Sequence, residues 1–332
     1  MVHLNKIYKL NSMNRITALL LTLTFFSFYT INAQYTDVIN SNRPGKSMSA
    51  FSVGKTVIQA ELGVYGVNEK HELLEYQAKG IGTDMNIRYG EFLEQLEFNI
   101  DLQYQNDHFE SYDENYNRNA LKQSIIGAKY LIYDPNKNYE AKIDVFSWDA
   151  NHKFKFRSLI PAVGIYAGMN LNLTKNEFSF PTDPKFSPKA VLITQNQLGR
   201  SVFVTNIIAD KISTEFPSYG YIATITRSFS PKWIGFVETQ GYISDFYADN
   251  VFRGGAAYLI QENIQIDANF SMNFKNTPTI LVGGIGISWR FDENYNEILL
   301  RVPEKKSKVD KKGKVKSKDK SKKRLDEVPA SK

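Results

Sequence analysis

Apolar and polar residues alternate along most of this chain with a period of two. Between Leu96 and Gln105, the residues Leu96, Phe98, Ile100, Leu102 and Tyr104 interleave without exception with Glu97, Asn99, Asp101, Gln103 and Gln105. Successive side chains of an extended strand point to opposite faces, so this segment predicts a strand with one oily and one wet face. The pattern returns from Ile264 to Phe274, through Ile58, Ala60, Leu62 and Val64 against Gln59 and Glu61, and through Met85, Ile87 and Tyr89 against Asp84, Asn86 and Arg88. Softer versions occupy residues 121–133, 157–174, 188–199, 201–210, 217–228, 232–243, 251–260 and 279–291, which brings the expected number of strands to twelve. Past residue 34 no apolar stretch reaches the ~18 residues of a membrane helix, so any crossing beyond that point is made by strands.

Alternation alone does not separate a membrane barrel from a soluble all-β protein. The charged positions on the wet face, Glu61, Asp84, Arg88, Glu97, Asp101, Lys129, Glu238, Asp267 and Arg290, suit a polar lumen and a soluble surface equally well. Two features favour the membrane. Rings gather near strand ends (Tyr104, Tyr130, Tyr133, Tyr219, Tyr221, Trp233, Tyr242, Tyr258, Trp289 and Phe291), where an outer-membrane barrel carries its interfacial girdles. Connections also alternate between turn-sized ones, such as residues 134–138, 230–231 and 261–263, and long polar ones at 106–120 and 174–188. Short turns at one rim and long loops at the other belong to the same architecture. The expected fold is therefore all-β, a transmembrane antiparallel up-and-down β-barrel of about 12 strands (10–14) over residues 55–291. Closure follows from the solvent, because an open sheet edge in hydrocarbon costs several kcal/mol per unsatisfied group. Residues 139–155 fit the alternation badly and read as a short periplasmic or lumenal excursion.

The two ends differ from this body. Lys6, Lys9 and Arg15 precede the apolar run at residues 16–31, and Asn32-Ala33 follows it. That layout predicts a signal peptide over residues 1–33 cleaved after Ala33, with an uncleaved anchor as the alternative. Residues 34–54 read as an N-terminal periplasmic or lumenal segment. At the other end, residues 303–332 carry 12 Lys and Arg324 against five acids, a net +8. Taking that +8 and the leader's +3 from the chain's +6 leaves −5 for the body. Such a tail repels itself and has little to bury, so residues 292–332 are expected to be a disordered, Lys-rich periplasmic tail. An even strand count brings both ends of the barrel to the periplasm. Lys311, Lys312, Lys314, Lys316, Lys318, Lys320, Lys322 and Lys323 then suit an anionic periplasmic partner, whether protein, cell wall or headgroups, or a solvated tail with no partner at all. Nucleic acid does not fit an exported chain.

Chemistry is sparse. The chain has no Cys and four His, which excludes disulfides, thiolate metal sites and Cys nucleophiles. No HExxH pattern appears, and Gly283-Gly284-Ile285-Gly286 precedes strand rather than helix, so neither a catalytic metal nor a phosphate loop is indicated. His108 beside Asp107 and Glu110 raises a rim hydrolase only as a minor alternative. The chain reads as a non-enzyme with no cofactor.

Asn42-Arg43-Pro44-Gly45-Lys46-Ser47 followed by Gln59, Glu61 and Gly63 resembles the opening of a bacterial outer-membrane barrel family of transporters tied to the MetA pathway of phenol degradation. That family begins with an Asp-Arg-Pro motif and a Gln-x-Glu-x-Gly strand; Asn42 stands here at the Asp position. Its early Gly-x-Lys pair is matched by Gly127 and Lys129. The resemblance implies a passive transporter or channel in the outer membrane of a Gram-negative bacterium, surrounded by outer-membrane lipid, for small solutes including hydrophobic or aromatic ones. Arg43 and Lys46 are candidates to fold into the lumen as a plug, pairing with Glu61, Glu97 or Asp101, with an ordinary periplasmic loop bend at Pro44-Gly45 as the equal alternative. The alternative is a non-conducting structural or assembly subunit of an outer-membrane complex, docked through the basic tail.

Overall fold

In lipid a strand must satisfy its backbone on both sides, and twelve strands do so here by closing on themselves. They are β1 (Val57–His71), β2 (Tyr76–Gly90), β3 (Leu96–Glu110), β4 (Asn115–Tyr133), β5 (Ala162–Leu171), β6 (Phe186–Leu198), β7 (Ser201–Asp210), β8 (Ser218–Ser228), β9 (Trp233–Ile243), β10 (Ala248–Gln261), β11 (Ile264–Asn273) and β12 (Thr279–Phe291). Each pairs antiparallel with its sequence neighbours, and β12 pairs with β1 to complete a closed barrel. The computed structural model describes Ile39 and residues 41–137, 156–172, 176–179 and 183–291. The expected leader (1–33), the segment 139–155 and the tail (292–332) with its lysines lie outside the described residues, as do residues 34–38 of the N-terminal segment.

The period of two becomes the wall of the barrel. On β1, Ile58, Leu62 and Val64 face outward at 42–52% exposure, while Gln59, Glu61 and Tyr65, on the alternate positions, are buried. The inner face is not uniform, however. On β4 to β7 the inward positions Ile125, Leu131, Ala162, Tyr166, Val191, Ile193 and Val204 form a buried apolar cluster with Ala50. Because these strands are apolar on both faces, their alternation in sequence is soft.

Two stretches differ from the sequence expectation. Residues 106–120, expected as a long polar loop, are paired strand on either side of a short turn at 111–114, with Asp107 opposite Arg118 and Glu110 opposite Asn115. Pairing outlasts the apolar pattern there because β1 to β4 run on beyond the oily outer band, and neither face needs to be greasy in water. Strand β5 begins at Ala162 rather than near 157, since Phe156–Leu159 forms a 3-10 turn.

Candidate functional site

The interior is occupied by the chain's own N-terminal segment. Residues 41–53 cross it, and Gly54, with φ of 99°, turns the chain toward β1. Nearly every step of the segment is held by an inward side chain. The backbone N–H groups of Asn42 and Arg43 donate to Glu61 Oε1 and Oε2 at 3.2 and 3.3 Å. Those of Lys46 and Ser47 donate to Glu238 at 3.0–3.2 Å. Asn206 Oδ1 accepts from Met48 N at 2.6 Å, and Asn206 Nδ2 donates to Met48 O at 3.0 Å. Gln195 Oε1 takes Ala50 N at 2.9 Å, and Glu97 Oε2 takes Val53 N at 2.9 Å. An irregular segment needs such partners, because its backbone has no ladder of its own and an unpaired buried amide is costly.

Arg43 is the charged centre of this arrangement. Its guanidinium pairs with Asp84 of β2, and its Nε and Nη2 donate to the two oxygens of Asp267 of β11 at 3.1 Å each. Room for it comes from Gly63 and Gly286, which face each other across the β1–β12 pair. A Cβ at either position would overlap the guanidinium. Burial works against the charge of Arg43, but the hydrogen bond to Asp267 and the fields of Asp84, Asp267 and Glu61 outweigh it and raise its pKa further. Lys46 is half-exposed and lies 3.8 Å from Asp84.

Two further groups of charges lie close to the segment. Arg88 is fully buried and donates to Glu97 at 2.8 and 2.9 Å, with Glu61 at 3.4 Å. Lys129 adds an ion pair to Glu97 at 3.2 Å and donates to Phe51 O at 2.9 Å. Across the lumen Arg253 pairs with Glu238, which also accepts from Thr224 Oγ1 at 2.8 Å. Asp101 stands apart from Arg43 and accepts from Gln123 Nε2 at 3.3 Å, and Arg290 is buried on β12. The partners of Arg43 thus differ from those suggested by the sequence. Asp84 and Asp267 take its side chain, Glu61 takes only its backbone, and Glu97 is engaged by Arg88 and Lys129.

The Gln-x-Glu-x-Gly motif has a physical reason in this geometry. Gln59 Nε2 donates to Glu61 Oε1 at 2.7 Å and so orients the carboxylate that receives the segment, while Gly63 leaves the space beside it that Arg43 fills. Gly286 and Asp267 complete the seat, yet glycine carries no pattern and only the strand register brings these residues to Gly63. His108 is on the outer face, 2.8 Å from Asn117 Oδ1, while Asp107 points inward and binds Arg118 at 2.7 Å. The trio of the hydrolase alternative is therefore divided between two sides of the sheet.

Two lumenal cavities meet at the segment. One, of about 170 Å³, lies against Ile39, Val204, Thr224, Ile234 and Phe236. The other, of about 150 Å³, lies against Tyr65, Gln103, Gln105, Lys122 and Asn269. Arg43, Pro44 and Gly45 line both.

A closed antiparallel barrel with an apolar outer band and a charged interior defines an outer-membrane β-barrel. Over residues 41–291 the sequence matches the family described as "Putative MetA-pathway of phenol degradation". The chain belongs to that family. Among solved structures it is similar to the COG4313 outer membrane channel from Pseudomonas putida F1, at 8% identity over 73% of this chain and 98% of that one, with a TM-score of 0.48. It is also similar to the CymD monoaromatic hydrocarbon channel, at 8% identity over 73% of this chain and 90% of that one (TM-score 0.41). A third is the KdgM porin, at 9% identity over 69% and 99% (TM-score 0.40). No curated protein matches the sequence.

Proposed function

We propose that this protein is a passive outer-membrane channel for small solutes, held closed by residues 41–54 with Arg43 as the latch. The observation that carries this reading is the pair of lumenal cavities, about 170 and 150 Å³, that share Arg43-Pro44-Gly45 in their walls. A structural filler would have no reason to leave solvent-sized space on both of its sides. The latch is electrostatic and directional, since one guanidinium bridges carboxylates on strands β2 and β11 that only the closed barrel brings together. Aromatic or other hydrophobic compounds are the solutes the family description favours. In this reading both chain ends face the periplasm and the β1–β2 and β3–β4 turns face outside.

Conductance in planar bilayers tests the proposal. The wild-type barrel should open rarely, and both a variant lacking residues 41–54 and Arg43→Ala should conduct persistently at several-fold higher mean current. A barrel that stays silent in all three forms would reject it. The +8 charge of residues 303–332, which a pore does not require, favours a second reading as a non-conducting subunit docked through that tail. Under it, removing residues 303–332 abolishes co-purification with periplasmic partners while the barrel still folds, and unchanged co-purification would count against it.

A further inference from the structure

The outer surface of the barrel changes character along a single hydrogen-bonded rung. From β4 through β3 and β2 to β1 the rung reads Asn117, His108, Lys79 and Asn68. It continues onto β12, β11 and β10 as Leu281, Met272 and Phe252. All seven face outward. Strands in a barrel are tilted, so a rung climbs as it travels around the wall. Its β10–β12 end therefore lies in hydrocarbon, and its β1–β4 end stands above it.

Below that end, the outward residues of β1 to β3 are oily, with Ile58, Leu62 and Val64 on β1 and Phe98, Ile100 and Tyr104 on β3. From Ile58 to Gly66 is nine residues, about the length of one lipid crossing. Level with Gly66 the rung carries Ile81, Asn106 and Asn119, and above it the outward positions are amides and cations, with Gln77 and Lys70 beside the rung already named. None of the ion pairs among the described residues uses Lys70 or Lys79. Glu110 is the one acid among the outward positions of these paired strands, and Glu72 and Glu75 lie in the β1–β2 turn beyond them, where Glu72 accepts from Asn276 Nδ2 at 3.0 Å. The amides are aligned across the sheet, with Gln77 Nε2 donating to Asn68 Oδ1 at 3.3 Å and His108 against Asn117 at 2.8 Å.

We propose that this outward face of β1 to β4 is a seat for the phosphorylated sugar headgroups of anionic glycolipid in the outer leaflet. The face continues the lipid-contacting band upward, so whatever covers it is the layer that caps the acyl chains. Lysine ammonium groups supply charge-assisted bonds to phosphate, and flat rows of Asn and Gln supply paired donors and acceptors for sugar hydroxyls. A neutral, amide-poor headgroup would leave both unused. The proposal rests on the orientation given above, with the β1–β2 turn outside, but not on conduction.

The test uses the full chain in neutral detergent, mixed with micelles carrying a phosphorylated lipid A-type glycolipid, recaptured, washed and measured by native mass spectrometry. Wild-type protein should retain the glycolipid, and Lys70→Glu with Lys79→Glu should retain at least fivefold less. Lys232→Glu, in the turn at the opposite rim, should match wild type. A heat-shifted mobility on gels confirms that each variant is folded. Equal retention by the double variant, an equal fall in Lys232→Glu, or equal retention of phosphatidylcholine would overturn the proposal. So would a dimer that the double variant dissolves, since the face would then pair with a second copy. A bilayer-silent barrel that still shows the fivefold difference would reject the channel and leave this seat standing.

Discussion

The two halves of the lumen wall are built by opposite rules. On β1 to β3 and β9 to β12 many inward positions are charged or amide-bearing, and Glu61, Arg88, Glu97, Glu238 and Asp267 are all less than 10% exposed. On β4 to β7 the inward positions are mostly apolar and pack on Met48, Ala50 and Phe51 of the N-terminal segment. The polar half fixes the segment by direction, through bonds that tolerate little displacement. The apolar half adds area, which has no preferred register, to a few directional bonds from Lys129, Gln195 and Asn206. An outer-membrane barrel can therefore bury a lumenal core as a soluble protein does, provided the segment supplies the second layer.

The comparison breaks most visibly at Glu97. Its carboxylate serves Arg88, Lys129 and the Val53 amide together, and removing one partner of a buried pair leaves the others uncompensated at about 3–5 kcal/mol. Glu97→Ala should lower barrel stability by roughly that amount in urea unfolding from vesicles. Ile193→Ala on the apolar half, fully buried, should cost about 2–5 kcal/mol through the cavity it leaves. The halves separate on the rescue. Glu97→Gln keeps a hydrogen-bond acceptor but not the charge, and should recover only a minor part of the loss. Ile193→Val removes one methylene and should cost no more than about 1.5 kcal/mol. Full recovery in Glu97→Gln would mean that the charge network contributes packing alone.

The same division explains what could be read from the sequence. Strands β1, β2, β3 and β11 of the polar half were legible because oily and charged positions alternate, as in Leu96–Gln105, whereas β9, β10 and β12 were softer. Those of the apolar half were legible only softly, since Ile193 and Leu192 face opposite sides yet look alike in sequence. Arg43 was a candidate for the interior from its place ahead of the first strand and the acidity of the body, but an ordinary periplasmic bend at Pro44-Gly45 fitted the same residues. Its partners did not, because Asp84 and Asp267 are 183 residues apart and meet only through the β1–β12 closure. The seat is made of Gly63 and Gly286, whose contribution is the absence of a side chain, and no periodicity records that. The outer ends of β3 and β4 were missed for a related reason, since strands in water need no oily face.

A smaller effect sharpens the latch. Gly63→Val or Gly286→Val would place side-chain atoms where the Arg43 guanidinium lies, while β1–β12 pairing tolerates valine well. Such variants should keep the heat-shifted mobility of the folded barrel and show raised bilayer conductance comparable to Arg43→Ala. Combining Gly63→Val with Arg43→Ala should add little, because both act on one contact and coupled sites are not additive. Additive conductance would show that Gly63 acts on the pore independently of Arg43.

The smallest expected effect is at His108, on the outer side of the sheet where neither half of the lumen is touched. Its imidazole has one cross-strand partner, Asn117, and exposed surface substitutions of this kind usually stay within about 0.5 kcal/mol. Asp107 cannot serve the imidazole as an orienting carboxylate, because alternation turns it inward to Arg118. His108→Ala should therefore leave folding and conductance as in wild type, and ester or phosphodiester hydrolysis by the purified barrel should be indistinguishable between the two. A hydrolytic rate in wild type that disappears in His108→Ala would show that residues on the two faces can converge despite the pleat, and would return the rim to consideration as a catalytic surface.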